Sequence, residues 1–206
     1  MPSRILFLDF DGTITSEETL EAAMRICLPR EMILDGLNRI RAGEWTLKDV
    51  VTFAFDSIPS SRLPEIMEYV RNVPVREGLG DLLDRMRELG IPTVVISGGL
   101  KPYVEEKLAP YRDRILDVYS LDVDATGPFI KLTSPCEGET DLIDKPKIME
   151  KYDFDLAICV GDGLTDIDMA MSSQIVFARG ILAEELAKRG APFTLWEDFG
   201  DIIWRY

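Results

Sequence analysis

The sequence predicts a doubly wound α/β fold with a mainly parallel sheet and a small helical insertion. Three observations carry that prediction. Short apolar runs lack polar alternation, amphipathic stretches separate them, and one long segment holds helix patterns only. The runs are Ile5–Leu8, Pro92–Ile96, Leu156–Val160 and Ile175–Ala178, with Phe193–Leu195 as a weaker fifth. Strands buried on both faces read this way, whereas a half-solvated strand alternates. Strand and helix in alternation imply right-handed crossovers and helices on both faces of the sheet.

Taken in order, Ile5-Leu6-Phe7-Leu8 is the first strand, and from Thr15 to Val73 only helix patterns follow. Thr15-Ser16-Glu17-Glu18 predicts a capping box that opens a helix running through Cys27. Glu31–Ile40 and Arg62–Val70 give two further amphipathic segments. Between them Thr46-Leu47-Lys48-Asp49 predicts another capping box, leading into Val50, Val51, Phe53 and Ala54. Pro29, Gly43, Pro59 and Pro74 punctuate the stretch. The sheet then resumes: Leu79–Leu89 reads as a helix stopped by Gly90, ahead of the second strand. Val118–Leu132 holds two strand-like runs around Thr126-Gly127-Pro128, a hairpin or an excursion at the sheet edge. The division this gives is a core of residues 1–14 and 75–206 with a helical cap of residues 15–74.

Composition narrows the chemistry. The 206 residues are 46% hydrophobic and 29% charged, an ordinary globular balance. No run approaches the roughly 18 apolar residues of a membrane span, and Met1–Arg4 has no signal-peptide anatomy. A net charge of −14 argues against nucleic acid or an anionic membrane as a partner. It leaves room for small phosphorylated ligands, since a metal and a few aimed donors reverse the field locally. The chain has no histidine, which removes the Ser-His-Asp triad, Cys-His proteases and His-ligated zinc. Cys27, Cys136 and Cys159 are odd in number and fit no pairing pattern, so they read as small apolar fillers of a cytoplasmic protein.

The first strand ends in Asp9-Phe10-Asp11-Gly12-Thr13. Residues two apart on a strand face the same side, so both carboxylates project from its carboxyl end, where open parallel sheets bind ligands. Alone, this is equally a solvated Asp-Gly turn. Two other strand ends tip the balance. Ser97-Gly98-Gly99 offers a hydroxyl and backbone amides that can approach an anion. Gly161-Asp162-Gly163-Leu164-Thr165-Asp166 adds two more acids at the same sheet edge. Carboxylates about 4 Å apart repel by about 4 kcal/mol at an effective dielectric of 20. Four in one crevice therefore call for a cation, and hard oxygen ligands without histidine point to Mg²⁺, which brings phosphate oxygens with it. Lys145 or Lys147, ahead of a helix at Ile148–Lys151, supplies the remaining positive charge.

These segments, in this order, resemble the four motifs of the haloacid dehalogenase superfamily: Asp9–Thr15, Ser97-Gly98-Gly99, Lys145 and Gly161–Asp166. Lys145 aligns best with the third motif, with Lys147 in reserve. The helical segment after the first motif and Arg76-Glu77-Gly78 before the second are similar to the phosphoserine-phosphatase-like branch. Leu164–Asp166 through Phe177-Ala178-Arg179 is similar to the methionine-salvage phosphatases that act on 2-hydroxy-3-keto-5-methylthiopentenyl-1-phosphate. Only Cys136 stands where those enzymes have a cysteine-rich stretch. Lys48 stands where phosphoserine phosphatases carry a cap arginine, while Glu18 matches their acid for the substrate amine.

The resemblance implies a Rossmann-like core and a Mg²⁺-dependent phosphatase for a small phosphorylated metabolite. Asp9 would form an aspartyl-phosphate and Asp11 would serve as general acid and base. Mg²⁺ would be held by Asp9, the Asp11 carbonyl, Asp162 and Asp166. Ser97, Gly98 and Gly99 would hold the transferring oxygens, and Lys145 would offset their charge. Arg179 is a candidate substrate contact or a surface residue. Alternatives left open are a phosphoserine phosphatase, a phosphotransferase that delivers to an alcohol, and a signalling receiver that keeps its phosphoryl group.

Overall fold

The computed structural model describes residues 3–205. Met1 and Pro2 of the N-terminal reading, and Tyr206 at the end of the predicted core, lie outside the described residues. Seven strands form one sheet: β1 (Arg4–Leu8), β2 (Thr93–Leu100), β3 (Asp117–Asp124), β4 (Lys131–Thr133), β5 (Leu156–Gly161), β6 (Ile175–Ala178) and β7 (Thr194–Leu195). Their spatial order is β4-β3-β2-β1-β5-β6-β7. Every neighbouring pair is parallel except the β3–β4 edge hairpin. β1 is the middle strand, flanked by β2 and β5, so the chain order reverses there and opens a crevice at the carboxyl ends.

Alternation along these strands feeds two cores. Leu6, Leu8, Val95, Ile158 and Val160 face α5 (Leu79–Glu88), α6 (Lys101–Leu108) and α10 (Phe199–Ile203). Ile5, Phe7, Val94, Ile96 and Cys159 face α7 (Lys145–Met149), α8 (Ile167–Met171) and α9 (Gly180–Arg189). Both faces are covered, which is why the runs lack the polar alternation of a half-solvated strand.

Between β1 and α5 lie four α-helices among the described residues: α1 (Thr19–Cys27), α2 (Arg30–Arg41), α3 (Leu47–Phe55) and α4 (Leu63–Asn72). Ala23, Met24, Val51, Phe55, Ile58, Ile66 and Val70 join the first core, so the insertion is packed on the sheet layer. The chain leaves and returns through a bridge between Thr15 and Val75, with the Arg76 amide donating to Ile14 O at 2.8 Å. The far side of the insertion docks on the edge hairpin and the loop after it. Ser60 N donates to Pro128 O, Ile130 N to Ile58 O and Lys48 N to Thr140 O, each at 3.0 Å.

Three local expectations change. Thr15-Ser16-Glu17-Glu18 is not a capping box: α1 begins at Thr19, and no side chain caps it from Glu18. The Thr15 hydroxyl is taken by loop groups instead, the Gly12 amide and the Phe10 and Glu17 carbonyls. The box at Thr46–Asp49 does form. β2 continues through Ser97-Gly98-Gly99 to Leu100, its pairing with β3 irregular between Ile96 and Leu100, because the glycines let extended backbone bend toward the crevice. Lys145 begins α7 rather than preceding a helix at Ile148, since Asp144 accepts from the Lys147 amide and starts the helix earlier. The Val118–Leu132 excursion is an antiparallel pair, but the first half of β3 also pairs in parallel with β2.

Candidate active site

The crevice beyond β1, β2 and β5 gathers the acids. One carboxylate oxygen from each of Asp9, Asp162 and Asp166 lies within 4.8 Å of the others. Lys145 reaches into this cluster from the start of α7, its Nζ 2.5 Å from Asp9 Oδ1 and 2.5 Å from Asp166 Oδ1. Only 2% of the Lys145 side chain is exposed, so the contact is a buried triad. Lys147 is exposed and contributes only its amide, as a cap donor to Asp144.

Each acid is held differently. Asp166 is fully engaged: Oδ1 meets Lys145, and Oδ2 accepts from the amides of Asp162 and Gly163 at 2.9 Å each. Asp162 accepts from the Thr13 hydroxyl at 2.7 Å. The second oxygens of Asp9 and Asp162 meet no donor among the described residues. Asp11 points elsewhere: Oδ1 accepts from the Thr19 amide at 3.0 Å and from the Thr19 hydroxyl, and Oδ2 lies 3.4 Å from Tyr103 Oη.

The electrostatics follow from crowding and burial. Burial, then the charge of Asp166, raises the Asp9 carboxyl well above the usual range against the pull of Lys145. Burial also raises Asp11, while the bonds from Thr19 oppose it. Asp162 is pushed up to about 6, chiefly by burial, with Thr13 pulling the other way. Burial lowers Lys145, but Asp166 and Asp9 outweigh it and leave the ammonium above its ordinary value. Partial enclosure, then Asp11, Asp162 and Asp166, pushes Glu18 up to about 8 against the pull of Lys145. The donor set is hard oxygen, with unmatched negative charge and two carboxylate oxygens left over. It fits a divalent ion such as Mg²⁺ and has no soft ligand for zinc or copper.

Ser97 is buried and its Oγ accepts from the Gly99 amide at 2.9 Å. Gly98 lines the cavity described next, and a side chain there would meet nothing within 4 Å. Gly99 faces the other way, where a Cβ would strike Tyr103 and the Asp11 carboxylate. Glu18 stands at the cavity wall beside the acids. Above the crevice, under the insertion, opens a cavity of about 330 Å³. Its upper walls are apolar, built from Leu20, Met24, Met32, Val50, Val51 and Ala54. Among the described residues, its charged lining is acidic throughout and includes no lysine or arginine.

Two cations flagged in the sequence lie elsewhere. Lys48 pairs with Glu137 at 2.7 Å and donates to Gly138 O at 3.1 Å. Arg179 sits 5.4 Å from the Trp196 ring centroid and donates to Glu197 O at 3.4 Å. Thr13, Thr19 and Tyr103 were not singled out in the sequence. Thr13 sits inside the first motif, but nothing local marks Thr19 or Tyr103 as partners of Asp11.

A family model described as haloacid dehalogenase-like hydrolase matches residues 6–171. The chain belongs to the haloacid dehalogenase-like hydrolases. This hydrolase is 34% identical over 202 residues to a Microcystis aeruginosa protein named 2-hydroxy-3-keto-5-methylthiopentenyl-1-phosphate phosphatase, covering 97% of this chain and 96% of that one. A Brevibacillus brevis protein of the same name is 29% identical over 209 residues, covering 97% and 93%. Among solved structures, a substrate-bound phosphoserine phosphatase superposes with a TM-score of 0.71 at 19% identity, over 100% of this chain and 99% of that one. The phosphoserine phosphatase from T. onnurineus gives 0.70 at 20% identity, over 98% and 93%. At that identity the structures establish a shared fold. No helix among the described residues is long and apolar enough to cross a membrane.

Proposed function

We propose that this hydrolase is a Mg²⁺-dependent phosphomonoesterase whose substrate carries an uncharged, apolar tail, in the manner of a methylthio-substituted enol phosphate. The observation that carries this reading is the apolar cavity opening onto the acid cluster, without a cationic side chain in its walls among the described residues. The carboxylate of phosphoserine would enter beside Glu18 and Glu21 with no counter-charge, because Lys48 is spent on Glu137 and Gly138. An apolar tail meets Leu20, Met24, Met32, Val50 and Val51 instead. The names of the relatives from Microcystis and Brevibacillus point to the same kind of substrate.

The chemistry is an in-line displacement followed by its reverse with water. Asp9 attacks phosphorus, the bond to the leaving oxygen breaks, and Asp11 gives that oxygen its proton. Burial favours the protonated form of Asp11 that this step needs. Asp11, now a carboxylate held by Thr19, takes a proton from the water that attacks the aspartyl-phosphate. Asp9 and inorganic phosphate are released. Ser97 with the Gly98 amide would steady the transferring oxygens, and Lys145 would offset their charge. Bound by Asp9, the Asp11 carbonyl and Asp162, with Asp166 orienting that shell through Lys145 and the Asp162 amide, Mg²⁺ would neutralise the phosphoryl oxygens. The helical insertion, residues 15–74, acts as the cap that shapes the tail pocket and excludes water.

The test is a turnover screen with Mg²⁺ over phosphate esters of graded tail polarity, phosphoserine and an alkylthio enol phosphate included. Higher kcat/KM for the apolar tails is expected. Preference for phosphoserine would overturn the substrate reading, and no turnover of any ester would overturn the activity.

A further inference from the structure

Arg76 lies where the insertion rejoins the core, yet its side chain reaches the catalytic loop. Nε donates to Thr13 O at 2.8 Å and one terminal nitrogen to Gly12 O at 2.6 Å. The other terminal nitrogen donates to Glu197 O at 3.2 Å. The guanidinium carbon sits 5.2 Å from the ring centroid of Trp196, which is buried and stacked on Phe199 at 5.3 Å. The Trp196 indole N–H in turn lies 3.4 Å from Gly161 O, the last residue of β5 before Asp162. One planar cation therefore ties the Gly12–Thr13 peptides, which follow Asp9 and Asp11, to a plate resting on the peptide before Asp162.

We propose that Arg76, seated on Trp196, is a positioning residue that sets the spacing between the Asp9–Asp11 loop and Asp162. The inference rests on the reading of those acids as a divalent-cation site. A guanidinium suits the task because its donors are fixed in one plane, whereas an ammonium is a single flexible point. Gly12 shows how close the two loops run: its φ is +77°, and a Cβ there would collide with the Asp162 carboxylate. A small slip of this loop would change the distances among the carboxylates directly.

Electrostatics gives the test a sign. Arg76 is a positive charge that acts on Asp162, so removing charge alone would tighten Mg²⁺ binding. Removing a brace would weaken it. Arg179 serves as the control: it also acts on Asp162 and sits 5.4 Å from the Trp196 centroid, but among the described residues its guanidinium donates to Glu197 O and to neither the Gly12 nor the Thr13 carbonyl.

Mg²⁺ affinity is measured by calorimetry on metal-stripped full-length protein without substrate, beside kcat and KM for an aryl phosphate. Arg76→Met is expected to weaken Mg²⁺ binding about tenfold and to lower kcat with little change in KM. Arg76→Lys should recover part of both, and Trp196→Phe, which keeps a plate but loses the N–H, should weaken binding about threefold. Arg179→Met should bind Mg²⁺ as tightly as the parent or tighter. Unchanged or tighter Mg²⁺ binding in Arg76→Met, with loss confined to the melting temperature, would overturn the proposal. If Arg76→Met does not fold, parental affinity and kcat in both Arg76→Lys and Trp196→Phe would overturn it equally. A parent protein that neither binds Mg²⁺ nor turns over phosphate esters would instead remove the functional reading beneath.

Discussion

The crevice at the strand ends and the cavity under the insertion share a wall but are built on opposed principles. The crevice concentrates Asp9, Asp11, Asp162, Asp166 and Lys145 with little exposure of most of them, so its neighbours exist to manage charge. The cavity is lined by Leu, Met, Val and Ala side chains from α1, α2 and α3, where the work is shape and exclusion of water. On the proposed reading, chemistry rests on a few charged residues. On the same reading, selectivity is spread over many apolar ones, each contributing a little. Substitutions should fall into two classes accordingly.

The largest effect belongs to the crevice. Asp9→Asn should lower turnover of an aryl phosphate about a thousandfold or more while circular dichroism stays native. Residual activity within tenfold of the parent would break the contrast. Lys145→Met should come next, because it strands Asp9 and Asp166 in a buried site. A loss of about 3–5 kcal/mol in urea denaturation is expected in the absence of metal, and saturating Mg²⁺ should restore part of it.

On the cavity side, Met24→Ser should cut kcat/KM for a long apolar ester about 10–100-fold. Methyl phosphate, too short to reach that wall, should change by less than about threefold. An equal loss for both would move Met24 into the catalytic machinery.

The pH dependence sharpens the same contrast. Asp162 has a folded value raised to about 6 against an ordinary 3.8, so its ionisation opposes folding. That penalty is absent below the ordinary value and complete above the folded one. Metal-free Asp162→Asn should therefore gain on the parent by about 1–3 kcal/mol between pH 4 and pH 7.5. The gain should vanish with Mg²⁺ present. Smallest of all, Lys48→Met removes a partly exposed pair with Glu137 and should cost under about 1 kcal/mol by melting.

The same division explains what the sequence discloses. Asp9 and Asp11 are legible because two-residue spacing on a strand is local geometry, and Asp162 and Asp166 because a glycine-rich turn follows an apolar run. The parallel core is legible because strands buried on both faces lose their polar alternation. Spacing leaves Lys145 and Lys147 alike and only the resemblance favours Lys145; the fold separates them by which of the two lies on the buried side of α7. The start of α1 is misjudged because Thr15 serves the loop and its bridge to Val75, a pairing across the whole insertion. The grip of Thr19 and Tyr103 on Asp11, and of Arg76 on the Gly12–Thr13 peptides, leaves no periodic signal. Nor does the diversion of Lys48 to the loop after the edge hairpin, since its partner lies some ninety positions away in the chain.

The most direct test is to trap the phosphorylated protein. Full-length protein with Mg²⁺ and an aryl phosphate is quenched in acid within milliseconds, reduced with borohydride and mapped by peptide mass. Modification confined to Asp9, and absent from Asp9→Asn and from chelator-treated protein, is the expected result. Steady turnover with phosphate on another residue, or with Asp9 never labelled, would contradict the account.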